Sequence, residues 1–253
     1  MSISNSGDVP RIPHLSRQAA EAVLRSRGWL SRSHPTTSDA VLDAASLKHF
    51  LEGERIFSAA DPCDGPVGVC AGEVEITLPR DDGIDVPLFR AGPGFWISGL
   101  DGFYGDAPLL NATAASAVTL LHIDPQTLRA LRRAQPDMER DLFRLDHANR
   151  ANLMRLLGVL TMPQSDRRVA MRLLLADELH GDDPGDWLTY PRAILADLTA
   201  VSLPTLQRVL RRFSTAGLVE LGYARLRITD HDGLARVARS GSEAGETADS
   251  AGG

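Results

Sequence analysis

The sequence predicts an α+β fold in which an all-β segment precedes a mostly helical half. Residues 47–123 carry short apolar segments that alternate with turn residues about every ten positions. A helical apolar period runs through residues 136–160, and residues 193–213 predict two short helices with a sharp turn between them. A chain of 253 residues is long for one domain and comfortable for two. We therefore expect two domains joined by a long helix.

Composition is that of an ordinary soluble protein. Hydrophobic residues make up 43% of the chain and charged residues 24%, and the formal net charge is −6. No window approaches the roughly 18 consecutive apolar residues of a membrane helix. Residues 1–8 lack the basic and apolar parts of a signal peptide. We therefore expect a cytoplasmic protein with no membrane partner.

Nothing in the sequence predicts catalysis, a metal or a cofactor. The chain holds no glycine-rich phosphate loop, no paired metal ligands and no nucleophile–base arrangement, so we expect no enzyme. Its two cysteines, Cys63 and Cys70, are too few for a four-cysteine iron–sulfur cluster or an all-thiolate zinc site. Two reduced, partly buried thiols are the favoured interpretation. A redox pair, or a ligand set of cysteine and histidine, is the alternative.

Residues 1–45 predict a tail followed by small helices. The first 13 residues are polar, and we expect them to be loose. From residue 15 to residue 30 apolar side chains recur at helical spacing, and a turn at residues 34–39 starts a second short helix. These helices are expected to pack on the domain that follows.

Residues 46–124 predict a β-sandwich or barrel. Several short strands separated by turn residues are typical of those folds. The segment Arg80–Gly83 suits a hairpin turn, because glycine accepts a positive φ. The predicted strands include Arg55–Ser58, Val67–Cys70, Val74–Leu78, Val86–Arg90 and Val118–Ile123.

Residues 125–162 predict a hinge and dimerisation helices. Asp124 caps a first helix, and a longer one runs from about Pro136 to Leu160. Apolar or small side chains recur along the longer helix at alternating three- and four-residue steps, which is the spacing of a coiled-coil seam. We expect this seam to join two copies of the chain, and packing on its own domain is the alternative. The seam consists of Leu142, Leu145, Asn149, Asn152, Leu156 and Val159.

Residues 163–239 contain two short helices, the second of them basic, and then a hairpin. Ser202 can cap the second helix, and Pro204 falls in its first turn, where a missing N–H costs least. A short helix across a basic helix, followed by a hairpin, is a winged helix-turn-helix, which offers its second helix to a DNA major groove. Residues 240–253 are expected to be disordered. The positions predicted to face inward are Leu206, Val209, Leu210 and Phe213.

Four segments carry motifs that a known family shares. The most specific is Leu195-Ala-Asp-Leu-Thr-Ala-Val-Ser followed by Thr205-Leu-Gln-Arg-Val-Leu-Arg-Arg-Phe. The others are Leu51-Glu-Gly-Glu-Arg-Ile-Phe with Asp61-Pro after it, Val69-Cys-Ala-Gly-Glu-Val-Glu-Ile, and Gly92-Pro-Gly-Phe-Trp. Over residues 24–239 the chain resembles the Crp/Fnr family of bacterial transcription regulators. This resemblance implies an N-terminal double-stranded β-roll, a jelly roll of the cyclic-nucleotide-binding type, then a long dimerisation helix and a C-terminal winged helix-turn-helix.

The resemblance also implies a function. A member would be a transcription regulator that binds double-stranded DNA as a homodimer on a palindromic operator. RNA polymerase would be a partner of an activator, and an unknown small-molecule effector is a further candidate. Arg208 suits a guanine edge and Leu203 a thymine methyl, while the remaining arginines suit phosphates. The expected DNA-binding residues are Ser202, Leu203, Thr205, Gln207, Arg208, Arg211, Arg212 and Arg225.

Departures from the family pattern concern the effector. Members that bind cyclic nucleotides carry a Gly-Glu pair and an Arg followed by Ser or Thr. No arginine or lysine occurs here between Arg90 and Arg129, so a buried phosphate would have no local cation. We therefore expect no control by cyclic AMP through the usual phosphate contact. The candidate pocket positions are Gly99 and Leu100, or alternatively Gly105 and Asp106, for the first pair, and Leu110 and Asn111 for the second.

The recognition helix departs from the pattern as well. Its first two positions are Leu203 and Pro204. Many relatives carry polar residues at these two positions. A ligand-sensing or protein-interaction module with weakened or lost specific DNA binding is therefore the alternative function.

Overall fold

Antiparallel sheets precede a long helix and a helical C-terminal region, so the predicted α+β class is confirmed. The computed structural model describes residues 15–59, 61–62, 64–97, 106–180 and 186–240. The chain divides into two compact units. The first combines Met1–Glu75 with Gly92–Leu142, and the second combines Ile76–Ala91 with Phe143–Gly253.

Two helices and a 3-10 turn open the first unit. They are α1 (Arg17–Ser26), the turn Leu30–Arg32 and α2 (Pro35–Ala44). The helix predicted to reach residue 30 ends earlier because Gly28 adopts a φ of +75°. A side chain at Gly28 would also collide with the carbonyl oxygen of Gly94, 1.7 Å from an ideal Cβ. Glycine at this position therefore stops α1 and permits a close backbone approach.

Eight strands form two four-stranded sheets. One sheet has the order β1-β8-β3-β6 and the other β2-β7-β4-β5. The β8 strand pairs antiparallel with β1 and with β3, and all five of its residues are buried. The five strands predicted from the sequence are present, and β1, β6 and β7 add to them. The strands are β1 (Ser46–Phe50), β2 (Arg55–Phe57), β3 (Val67–Ala71), β4 (Val74–Pro79), β5 (Asp85–Ala91), β6 (Trp96–Ile97), β7 (Asn111–Ala114) and β8 (Val118–His122).

Helices α3 (Pro125–Ala134) and α4 (Met138–Leu160) follow strand β8 along the chain. The Asp124 carboxylate accepts hydrogen bonds from the backbone N–H groups of Gln126 and Thr127 at 3.0 and 2.9 Å, as predicted for a cap. Hydrogen bonds from the Thr127 side chain and backbone are the main reason that the pKa of Asp124 lies below its ordinary value. The cap therefore fixes where α3 begins.

The second unit is a helical core with a small sheet. Its buried apolar side chains come from one face of α5 and from the inner faces of the following helices. The small sheet has the order β10-β11-β9. The elements are α5 (Ser165–His180), β9 (Leu188–Thr189), α6 (Arg192–Thr199), α7 (Leu203–Thr215), β10 (Val219–Gly222), β11 (Arg225–Ile228) and α8 (His231–Ser240).

Strand β5 packs against α5 and α6 within this unit. The buried Arg90 guanidinium donates to the Thr189 carbonyl oxygen at 2.8 Å and lies 5.0 Å from the centroid of the Tyr190 ring. Nearby, burial lowers the pKa of Arg172 to about 10, and the charge of Tyr190 opposes this shift. The hairpin of β4 and β5 is thus tied to the segment that leads into α6.

Along the described ranges, no single helix has both the length and the apolar character needed to cross a membrane. The bent pair of α6 and α7 meets that test of length and composition when both helices are taken together.

Candidate nucleic-acid interface

Helices α6 and α7 cross at 97° with a tight turn between them. Ala200 adopts a left-handed conformation, with φ 49° and ψ 46°, and its N–H bonds back to the last turn of α6. This conformation costs roughly 1–2 kcal/mol for a residue that is not glycine. Thr199 is buried, and its hydroxyl donates to the carbonyl oxygen of Leu195 at 2.8 Å. These bonds hold the turn at the angle of a helix-turn-helix.

The Ser202 side chain caps the first turn of α7. The Thr205 N–H donates to the Ser202 Oγ at 3.4 Å, and the Ser202 and Thr205 hydroxyl oxygens lie 2.9 Å apart. Pro204 occupies the first turn and supplies no N–H. The predicted cap is therefore confirmed, and both hydroxyl groups are engaged with each other. Leu203, between them in sequence, is 39% exposed.

The two faces of α7 divide as predicted. Its four inward positions are buried in the core of the second unit. Gln207, Arg208, Arg211 and Arg212 are exposed, while Thr205 is half-buried rather than fully outward. The three arginines line a groove of about 540 Å³ together with Asp166 at the start of α5. The Asp166 carboxylate forms an ion pair with the Arg212 guanidinium, with an N–O distance of 2.8 Å. One face of α7 is thus exposed and strongly basic.

Strands β10 and β11 form the predicted hairpin. Its two-residue turn is Tyr223–Ala224, in which Ala224 has a φ of 51° and Tyr223 is 98% exposed. Arg192 of α6 donates to the carbonyl oxygens of Gly222 and Arg225, at 3.2 and 3.3 Å, on the two sides of this turn. The hairpin is therefore fastened to the first helix of the helix-turn-helix, as a wing.

Trp187 supports the wing arginines, a role that the sequence did not predict. The Arg225 guanidinium carbon lies 4.3 Å from the centroid of the Trp187 ring, and that of Arg227 lies 5.1 Å from it. Arg227 also pairs with Glu220 across the hairpin at 2.7 Å. The extra strand β9, directly after Trp187, brings the ring beside β11. A strand of two residues carries no detectable sequence pattern.

Helix α4 presents a stripe of exposed side chains that differs from the predicted seam. Leu142, Leu145, Leu156 and Val159 are buried within the single chain, and Asn149 and Asn152 are half-buried. The predicted seam therefore has little free surface to offer a second copy. On a neighbouring face, six exposed positions recur at alternating four- and three-residue steps, the last of them directly after the end of α4 at Leu160. This exposed α4 stripe consists of Phe143, His147, Arg150, Met154, Leu157 and Thr161.

The positions predicted to bind an effector lie partly within the described residues. Gly99, Leu100 and Gly105 lie outside the described residues. Leu110 is half-buried, and the buried Asn111 accepts the N–H of Ala59 on its Oδ1 at 2.8 Å. A cavity between β1, β2 and β8 measures only about 60 Å³, whereas ligand pockets usually measure about 300–1,000 Å³. The amide of Asn111 is thus already used in tying β7 to residue 59.

A ligand set of cysteine and histidine would draw on Cys70 and His122, and both side chains have hydrogen-bond partners within the chain. His122 Nε2 lies 2.6 Å from the Asp64 carbonyl oxygen and 3.2 Å from its carboxylate. Cys70 is 2% exposed, and burial raises the pKa of its thiol to about 12. Cys63 lies outside the described residues. Within the described part of the chain, no group of three or more His, Cys, Asp or Glu side chains is placed to hold a metal ion.

Comparison with known proteins decides the family. A Crp-like helix-turn-helix domain matches residues 167–237, and a cyclic nucleotide-binding domain matches residues 47–135. The chain belongs to the Crp/Fnr family of transcription regulators. The matched Crp-like domain contains α6, α7 and the wing. The basic face of α7 and the wing therefore belong to the family's DNA-binding domain.

Relatives within the Crp/Fnr family cover most of the chain. The CRP-like cAMP-activated global transcriptional regulator of Mycobacterium tuberculosis is 24% identical over 223 residues, covering 87% of this chain and all of the relative. The solved structure of FixK2 from Bradyrhizobium japonicum matches 78% of this chain and 99% of its own, with a TM-score of 0.68 and 18% identity. The CRP-family regulator TTHB099 from Thermus thermophilus matches 76% of this chain and 96% of its own, with a TM-score of 0.60 and 21% identity. These structures support the fold.

Proposed function

We propose that this Crp/Fnr regulator is a homodimer that binds a palindromic operator sequence-specifically. The observation that carries the proposal is the exposed basic face of α7, held at 97° to α6 beside a wing with two supported arginines. Exposed arginines of this kind suit guanine edges and phosphates. Arg208 is the candidate for the guanine contact, and Gln207 for an adenine edge. Arg211, Arg212 and Arg225 are the candidates for phosphate contacts.

The exposed α4 stripe is our candidate for the dimer contact. Four apolar side chains in or beside it are 45–64% exposed, namely Phe143, Met154, Leu157 and Leu160. Alternating three- and four-residue steps match the spacing at which two helices wind around each other. A second copy of the chain is therefore the occupant that fits, because its own α4 carries the same pattern. Two such copies would place two α7 helices on successive major grooves, about 34 Å apart.

We also propose that cyclic AMP does not control this protein through the family's usual phosphate contact. The sequence between Arg90 and Arg129 has no arginine or lysine to meet the phosphate. A charge-assisted bidentate contact is the strong part of such recognition. The relative from M. tuberculosis is described as cAMP-activated, and this chain lacks the local cation for that mode of binding. Calorimetric titration with cyclic AMP should give no binding heat, and micromolar binding would contradict this part of the proposal.

The DNA-binding part is tested by selecting sites from random duplexes with the full-length chain. We expect an inverted repeat whose half-sites lie about one helical turn apart. The Arg208→Ala variant should lose about 1–3 kcal/mol of binding free energy and relax one base position in each half-site. Arg133→Ala removes the same charge from an exposed position of α3 and serves as the control.

Failure of the selection would favour the alternative function. If no sequence is enriched, and binding to all duplexes is equally weak, the chain is a sensing or interaction module that no longer reads DNA. We place the protein in the cytoplasm, where its DNA would be found. RNA polymerase is its proposed further partner if it activates transcription. A small-molecule effector is a second candidate partner.

A further inference from the structure

We infer that Leu203 recognises the 5-methyl group of a thymine. The inference rests on the proposed DNA-binding function and adds a base to its operator. Leu203 is a large apolar side chain exposed at the start of α7, the helix whose N-terminal residues contact base edges in helix-turn-helix proteins. Pro204, the next residue along the chain, is exposed as well, so the start of α7 offers two apolar residues to solvent.

The core does not require an apolar residue at position 203. Helix α7 buries its opposite face through four residues that are at most 4% exposed. Leu203 does not belong to that core cluster or to the partly buried residues packed against it. The core therefore does not fix the residue type at position 203, and the exposed part of Leu203 is available for a contact outside the fold.

The polar groups of the same turn are engaged within it. The Ser202 and Thr205 hydroxyl oxygens lie 2.9 Å apart, and the Thr205 N–H is directed to Ser202. Pro204 contributes no N–H. Leu203 and Pro204 therefore meet a base through carbon alone. The thymine 5-methyl group is the apolar feature that base pairs present in the major groove, so it is the group that fits.

The position of Leu203 relative to Arg208 predicts the order of the bases. The two residues are five positions apart on α7, which corresponds to about 7.5 Å along the helix axis. Successive base pairs are about 3.4 Å apart. The thymine should therefore lie about two base steps from the guanine that Arg208 contacts, on the side nearer the start of α7.

Single thymine-to-uracil replacements in the selected operator test this, because uracil lacks only the 5-methyl group. We expect one thymine per half-site at which uracil weakens binding by the wild-type protein about fourfold, the value of one buried methyl group. The Leu203→Ser variant should bind the thymine and uracil operators equally. Leu203→Met keeps an apolar side chain and should retain the preference for thymine. Thr215→Ser changes the exposed far end of the same helix and is the control.

The outcomes separate this inference from the proposed function. If uracil is tolerated at every thymine while Arg208→Ala still loses its base preference, Leu203 does not contact a methyl group and the DNA-binding function stands. If Leu203→Ser keeps the wild-type preference for thymine, another residue contacts the methyl group and the inference is wrong. If Leu203→Ser binds DNA as the wild type does but loses a protein partner, the exposed Leu203 side chain is a protein contact. Equal melting temperatures for the wild type and Leu203→Ser exclude misfolding.

Discussion

The Arg225 guanidinium of the wing lies 4.3 Å from the centroid of the Trp187 ring. Stacking on an aromatic face limits the rotation of a long side chain, and such contacts contribute about 0.5–1 kcal/mol at exposed sites. Arg192 restrains the backbone of the same turn by donating to the carbonyl oxygens of Gly222 and Arg225. The wing therefore presents a positioned cation rather than a freely moving one.

Replacing Trp187 by leucine should weaken DNA binding without changing its dependence on salt. Loss of the stacking contact should lower affinity about two- to fivefold, because Arg225 must then be ordered on binding. The number of neutralised phosphates stays the same, so the slope of log affinity against log salt should stay constant. Arg225→Gln is the matched comparison and should reduce that slope by about 1. A slope change in Trp187→Leu as large as in Arg225→Gln would contradict the positioning role.

A charge introduced into the exposed α4 stripe should separate the two copies. Leu157 is 56% exposed in the single chain, so Leu157→Glu leaves the monomer intact but places two carboxylates in an apolar contact. Light scattering should then report a monomer, with operator affinity strongly reduced. Ala148→Glu adds the same charge to α4 outside the stripe and should remain dimeric. A dimeric Leu157→Glu protein would place the contact elsewhere.

The buried side of α4 behaves differently under substitution. Leu156 is 4% exposed, so Leu156→Ala should cost about 2–5 kcal/mol of unfolding free energy, whatever the oligomeric state. The comparison explains why the sequence alone leaves open which side of α4 packs within the chain. Apolar side chains recur at helical spacing on two neighbouring faces of residues 142–159, so periodicity alone does not tell them apart. Only packing within the chain shows that Leu142, Leu145, Leu156 and Val159 are already covered.

Strands show where sequence patterns are informative. Apolar runs such as Val67–Ala71 and Val118–His122 are buried on both faces and were predicted within a residue or two. Strand β7 (Asn111–Ala114) has little β-branched or aromatic character, and β6 and β9 are two residues long, so nothing local indicates them. The same reason hides Trp187, whose role depends on β9. The helix-turn-helix was predicted more fully because its cap, turn and core residues are contiguous in sequence.

Arg90 should contribute to the stability of the second unit. Its guanidinium is buried, donates to the Thr189 carbonyl oxygen at 2.8 Å and lies beside the Tyr190 ring. A hydrogen bond from a charged group contributes about 1.5–3 kcal/mol, so Arg90→Met should lower the unfolding free energy by about that amount in denaturant titrations. Arg80→Met removes an exposed pair with Asp82 in the same hairpin and should cost less than about 1 kcal/mol. Equal losses in the two variants would contradict the structural role of Arg90.

Cys70 should be inert as a thiol and should make the protein less stable in alkali. Only a thiolate reacts with an alkylating reagent, and burial raises the pKa of this thiol from 9.0 to about 12. The native protein should therefore resist iodoacetamide at Cys70 at neutral pH, whereas the denatured protein reacts. In the unfolded chain the thiol loses its proton near its ordinary pKa, while the folded chain still holds it. The stabilisation is thus complete below pH 9 and declines as the pH rises through the interval to about 12.

Cys70→Ala isolates that effect from the other groups that titrate in alkali. We expect the difference in unfolding free energy between the wild type and Cys70→Ala to be constant below pH 9 and to shift against the wild type above it. Mass spectrometry after brief alkylation locates the reactive cysteine, because Cys63 provides an internal comparison in the same molecule. Rapid modification of Cys70 in the folded protein at neutral pH would show that the strand opens. That result would favour the alternative in which the cysteines respond to redox state.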